Sequence, residues 1–128
     1  MIEVYIDGAS AGDPGPSGAG IFIKSNGSVE RHAIPLGIMS NHEAEYAALV
    51  KALEICVEHK YAIISIRTDS QLVDRAVEKR YVKNETFKPY LERALHLMEQ
   101  FDLCFIKWIP SKQNSMADEL ARKAIHHN

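Results

Sequence analysis

Residues 2–36 read IEVYIDGASAGDPGPSGAGIFIKSNGSVERHAIPL, and the fold class turns on this stretch. Ile2, Val4 and Ile6 alternate with Glu3, Tyr5 and Asp7, the period of two that marks a strand over 2–7. Gly8 to Gly18 is rich in turn formers, with Gly12, Pro14, Gly15 and Pro16. Two further strands are predicted over 18–24 and 29–36. They are joined by Ser25-Asn26-Gly27, a hairpin signal. The chain therefore opens with three consecutive strands, expected to be antiparallel.

Downstream the period changes. Ser40-Asn41-His42-Glu43 fits a capping box, Ser40 capping the first turn and Glu43 reaching back. Ala44, Ala48, Leu49, Ala52, Leu53, Cys56 and Val57 then follow at helical spacing. Residues 63–67 form a β-branched run read as a fourth strand. Helices are predicted over 70–78 and 86–100, and a fifth strand over 103–109. Pro110 ends that strand, and Asn114 is expected to cap a last helix carrying Ala117, Leu120, Ala121, Ala124 and Ile125 on one side. The order β-β-β-α-β-α-α-β-α predicts an α/β fold. Its mixed five-stranded sheet has three antiparallel strands, then two parallel ones reached by right-handed crossovers, and is flanked by helices. One domain is expected over residues 1–128.

The bulk numbers narrow the function classes. A composition 46% hydrophobic and 25% charged is that of an ordinary globular domain. A net charge of −2 argues against holding a polyanion by overall electrostatics, so nucleic-acid binding would have to be local or mediated by cations. No signal peptide is read at the N-terminus, and no stretch approaches the roughly 18 apolar residues of a membrane span. Cys56 and Cys104 form no C-x-x-C pair and read as buried free thiols of a reducing compartment. The expectation is a cytoplasmic monomer with no membrane partner.

Four acids stand at element ends. Asp7 closes the first strand, and Asp69 closes the fourth. Glu45 lies in the first turns of the long helix, beside its apolar stripe, and Asp118 has the same place in the last helix. In open α/β sheets ligands bind beyond the carboxyl ends of the strands, where Asp7 and Asp69 meet if strands one and four are neighbours. Singly, each acid has an ordinary reading: a cap, a turn, a helix-dipole partner or a solvated flank. Together they would repel one another and raise each other's pKa unless a cation intervened, and a hard oxygen set suits Mg²⁺ or Mn²⁺.

The segments that carry these acids resemble the ribonuclease H type 1 family. Asp7-Gly8-Ala9-Ser10 with Gly12-Asp13-Pro14-Gly15-Pro16-Ser17-Gly18 resembles its first block. Asn41-His42-Glu43-Ala44-Glu45-Tyr46 resembles the second, Thr68-Asp69-Ser70-Gln71 the third, and Asn114-Ser115-Met116-Ala117-Asp118-Glu119-Leu120-Ala121 the last. The blocks fall in family order over essentially the whole chain. The resemblance implies a ribonuclease H-like fold and an endonuclease that cuts the RNA strand of RNA–DNA hybrids. It implies Asp7, Glu45, Asp69 and Asp118 as catalytic metal ligands for two Mg²⁺ or Mn²⁺ ions, one activating water and the other stabilising the departing 3′ oxygen. Products would end in 5′-phosphate and 3′-hydroxyl. The Gly-rich loop near Gly12, with Asn41 and Gln71, would lie against the hybrid's minor groove, Gly8 would also bind substrate, Asp13 would face RNA phosphates, and Ser40 and Asn84 would hold a DNA-strand phosphate. Asn84 sits in a locally basic stretch, Arg75, Lys79, Arg80, Lys83 and Lys88 against Asp74, Glu78 and Glu85, whose other reading is a solvated helix end and loop.

The chain also departs from the family pattern. Asp13 and His42 stand where asparagine is usual. The loop Pro110-Ser111-Lys112-Gln113 lacks the histidine of many bacterial members, and Lys112 is the candidate to attract the scissile phosphate in its place. The connection between the middle helices is too short for a basic protrusion. The alternative reading is a weakly active or non-catalytic nucleic-acid-binding protein on the same fold. Gly8-Ala9-Ser10-Ala11-Gly12 matches a nucleophile elbow, but Pro14 and Pro16 deny it the helix that must follow. The six histidines show no zinc spacing, and His126 and His127 read as a frayed tail.

Overall fold

A computed structural model describes residues 1–128. Its elements are β1 (Ile2–Ser10), β2 (Gly15–Ser25), β3 (Ser28–Met39), α1 (Asn41–Glu58), β4 (Ile63–Thr68), α2 (Gln71–Lys79), α3 (Lys88–Met98), β5 (Leu103–Trp108), a 3₁₀ turn (Ser111–Gln113) and α4 (Ser115–Ile125). One five-stranded sheet runs β3-β2-β1-β4-β5. The pairs β1–β2 and β2–β3 are antiparallel, whereas β1–β4 and β4–β5 are parallel. The expected mixed sheet is thus observed, with β1 at its centre.

Several boundaries move. β1 continues past Asp7 to Ser10, and β2 begins at Gly15 rather than Gly18, because Gly8, Ala9 and Ser10 pair with Ala19, Gly18 and Ser17. β3 reaches Met39, following β2 through an irregularity at Ser17/Gly18. Extended pairing therefore overrides the turn propensity of these glycines and prolines. The Asn26-Gly27 turn has φ of 47° and 87°, as a two-residue hairpin requires. The second middle helix starts at Lys88, not 86, because Asn84 and Thr86 are spent on a local turn.

Helix starts show a second correction. Ser40 caps α1 as expected, its Oγ accepting from Glu43 N at 3.1 Å. Glu43 does not reach back. Its carboxylate instead accepts from Tyr90 Oη of α3 at 2.7 Å. Ser70 caps α2 through Val73 N. Asn114 occupies the N-cap position of α4 but makes no capping bond.

Both faces of the sheet are covered near β1. On one face Val4, Ile6, Ile21, Ile23, Ile64 and Ile66 pack with Tyr46, Leu49, Leu53 and Cys56 of α1, and with Val73, Leu91 and Ala94 of α2 and α3. On the other face α4 lies across β1, β2 and β3. Two close approaches set these distances. A side chain at Gly8 would overlap the Ala44 carbonyl of α1, and one at Gly20 the Ala117 carbonyl of α4. Both helices therefore begin tight against the end of β1. No helix is long and apolar enough to cross a membrane.

Candidate active site

The parallel pairing decides the site. Ile6 of β1 stands beside Thr68 of β4, so Asp7 and Asp69 follow at adjacent positions on the same sheet end. Trp108 Nε1 donates to the Asp69 carbonyl at 3.1 Å, and the Thr68 hydroxyl accepts from Ser70 N, fixing the backbone on either side of Asp69. From one face α1 delivers Glu45, and from the other α4 delivers Asp118. A cavity of about 670 Å³ opens between them, lined by all four acids.

The acids differ in surroundings. Asp7 is buried, 9% exposed. Burial, and then the charges of Asp69, Asp118 and Glu45, push its carboxyl up to about 9. Burial also raises Glu45, against the hydrogen bonds from His42 and Ser70 that favour its charged form. Ser70 Oγ donates to Glu45 Oε2 at 3.1 Å, and His42 Nδ1 lies 3.3 Å from the same oxygen. Asp118 accepts from Arg122 Nε at 3.1 and 3.0 Å, one turn further along α4.

An all-oxygen set of this charge fits a hard divalent cation, and the buried Asp7 carboxyl is the group that most needs one. As folded, no three His, Cys, Asp or Glu side chains are gathered closely enough to hold an ion together. Arg122 pairs with Asp118, whose carboxyl also lies within hydrogen-bond reach of Asp7, while His42 and Ser70 hold Glu45.

The chain is similar to known proteins over essentially its whole length. The Reverse transcriptase-like family profile matches residues 5–124. EbsB of Enterococcus faecalis, which carries a hydrolase assignment only, is 42% identical over 98% of this chain and 94% of its own length. The crystal structure of RNase H1 from Halobacterium salinarum superposes with a TM-score of 0.93 at 33% identity, covering 99% of this chain and 98% of that one. The chain belongs to the ribonuclease H family. The structure of LC11-RNase H1 in complex with an RNA/DNA hybrid is similar to it as well, with TM-score 0.90 and 30% identity over 99% of this chain and 98% of that one.

On this ribonuclease H fold the other expected residues disperse. Gly8 and Asn41 line the acidic cavity. The Asn41 side chain bridges Ser10 N and Glu45 Oε1 at 3.3 and 3.5 Å. Gly12 and Asp13 are exposed in the β1–β2 loop, and Gln71 is exposed at the start of α2. Ser40 is engaged as a cap. Lys112 is exposed on the 3₁₀ turn, where Ser111 rather than Lys112 lines the cavity. Asn84 sits in a separate groove of about 470 Å³ with Arg75, Lys79, Lys83, Tyr46 and Phe87. The Ser10 hydroxyl is turned to backbone, its single proton within reach of the carbonyls of Gly12, Gly15 and Met39.

The sequence reading passed over two cavity residues. Arg122 and His126 both line the site. The signal was present, since both lie at multiples of four residues from Asp118. His126 is the C-cap of α4 rather than a frayed tail.

Proposed function

We propose that this protein hydrolyses the RNA strand of RNA–DNA hybrids, using Asp7, Glu45, Asp69 and Asp118 to bind divalent metal. The observation that carries this reading is the convergence of four acids from β1, α1, β4 and α4 on one cavity, one of them buried with its carboxyl pushed up to about 9. Family membership supports it, and so does the LC11-RNase H1 relative, whose structure holds an RNA/DNA hybrid.

Bound by these carboxylates, two Mg²⁺ or Mn²⁺ ions would supply water activation and neutralise charge on the departing oxygen. The protein's own contribution is placement. Asp7 stands in a paired strand and Asp69 directly follows one. Ser70 and His42 orient Glu45, and Arg122 braces Asp118 at the cavity. In the reaction an oxygen from water bonds to phosphorus and the P–O3′ bond breaks. This leaves a 5′-phosphate and a 3′-hydroxyl, with no covalent enzyme intermediate.

Strand choice would come from the 2′-hydroxyl. Gly8, Gly12 and Asn41 lie at or beside the cavity, where the RNA strand would run. Asp13 and Gln71 are exposed, as contacts to that strand would require. The groove with Arg75, Lys79, Lys83 and Asn84 offers the DNA strand a local patch of positive charge, which the overall charge of −2 does not. All four acids come from one chain, so the reading needs only a monomer. The free cysteines fit a cytoplasmic setting.

The test is cleavage of a labelled hybrid beside double-stranded RNA and double-stranded DNA, with Mg²⁺ and then Mn²⁺. Hybrid-specific cutting that disappears in Asp69→Asn supports the nuclease. Metal-dependent hybrid binding without cutting by the native chain would instead establish a binding protein on a nuclease fold.

A further inference from the structure

The acidic cavity has one cationic wall. Asp118, Arg122 and His126 follow at i, i+4 and i+8 along α4, so they share one stripe of the helix, and all three line the cavity. Arg122 contacts Asp118 through Nε alone, and neither Nη group makes a hydrogen bond within the protein. Its side chain is 72% exposed. A guanidinium carries five donors in a planar fork suited to phosphate oxygens, so most of that capacity is unspent. His126, one turn further, presents a ring that can donate from nitrogen.

We propose that Arg122 and His126 form a phosphate-binding stripe that grips the RNA strand beside the scissile bond. This rests on the nuclease reading above. The strand is the RNA because the stripe and the four acids share a cavity, and the strand cut there is the one threaded past α4. His126 lies at the far end of α4 from the Pro110–Gln113 loop, which carries no histidine, and lines the same cavity.

The test uses the full chain with Arg122→Gln, His126→Gln and the double variant, separating KM from kcat on a labelled hybrid. It also measures hybrid affinity against salt. Each single change should raise KM by about tenfold while leaving kcat within about twofold, the cost of a charge-assisted bond made alike to ground and transition states. Arg122→Gln should flatten the slope of log Kd against log salt by about one. His126→Lys should restore KM. If the native chain cuts hybrid while both variants keep its KM and salt slope, the stripe is refuted and the nuclease stands. If the native chain neither binds nor cuts hybrid, the nuclease reading falls and takes the stripe with it.

Discussion

Asn114 Nδ2 donates to the Ile6 carbonyl at 2.8 Å, across 108 residues of sequence. The bond joins the start of α4 to the residue before Asp7, so it sets Asp118 against Asp7. Asn114 is 1% exposed, and its Oδ1 has no partner, a cost accepted where the tie is made. Asn114→Ala leaves the Ile6 carbonyl short of a donor and should lower stability by about 1–3 kcal/mol. Urea denaturation reads that loss. Hybrid cleavage measured well below the transition should fall further than the folded fraction accounts for. Cleavage that tracks the folded fraction alone would confine Asn114 to stability.

Gly20 lets α4 approach. A methyl group there would run into the Ala117 carbonyl, one residue before Asp118, and backbone cannot yield as a flexible side chain does. Gly20→Ala should destabilise the fold by at least about 1–3 kcal/mol and carry α4 away from β1. The marker is an activity loss far larger than that of Gly27→Ala. Gly27 lies in the distant hairpin at φ of 87°, where an added Cβ meets nothing within 4 Å. Equal losses in the two variants would mean that general destabilisation explains both.

The raised Asp7 carboxyl gives stability a pH dependence of known sign. Its value goes from 3.8 to about 9, chiefly through burial and then the charge of Asp69. A carboxyl raised by folding holds its proton more tightly in the fold than in the unfolded chain. Its contribution is therefore full in acid, below about 4, and is lost as pH climbs toward about 9. Without divalent metal, the melting temperature should decline across that window. Asp7→Asn should remove most of the decline and stabilise the protein near about pH 8 by roughly 1–3 kcal/mol, while abolishing cleavage. Mg²⁺ should raise the melting temperature of the native chain at that pH and not of the variant. A variant as pH-sensitive as the native chain would place the titration on another group.

Much of this was legible in the residues. Alternation in Ile2–Asp7, the helical spacing after Ser40 and the four ordered blocks led to the mixed sheet and the acid cluster. That followed because strand parity and helix phase alone decide which side chains share a face. What escaped depends on contacts remote in sequence. The Gly15–Gly18 segment has turn propensity but is held extended by β1 on one side and β3 on the other. Glu43 has a capping residue's spacing, yet Tyr90 on α3 offers it a closer donor. Asn114 stands where a cap belongs and is used instead to hold β1. His126 was misread because proximity to a chain end was weighed above its phase on α4.

The account's central claim is that the four acids close on divalent metal. Soaking crystals with Mn²⁺ and collecting anomalous diffraction tests it most directly. The prediction is strong anomalous density between Asp7, Glu45, Asp69 and Asp118. Saturating Mn²⁺ that leaves the cavity without such density would contradict it.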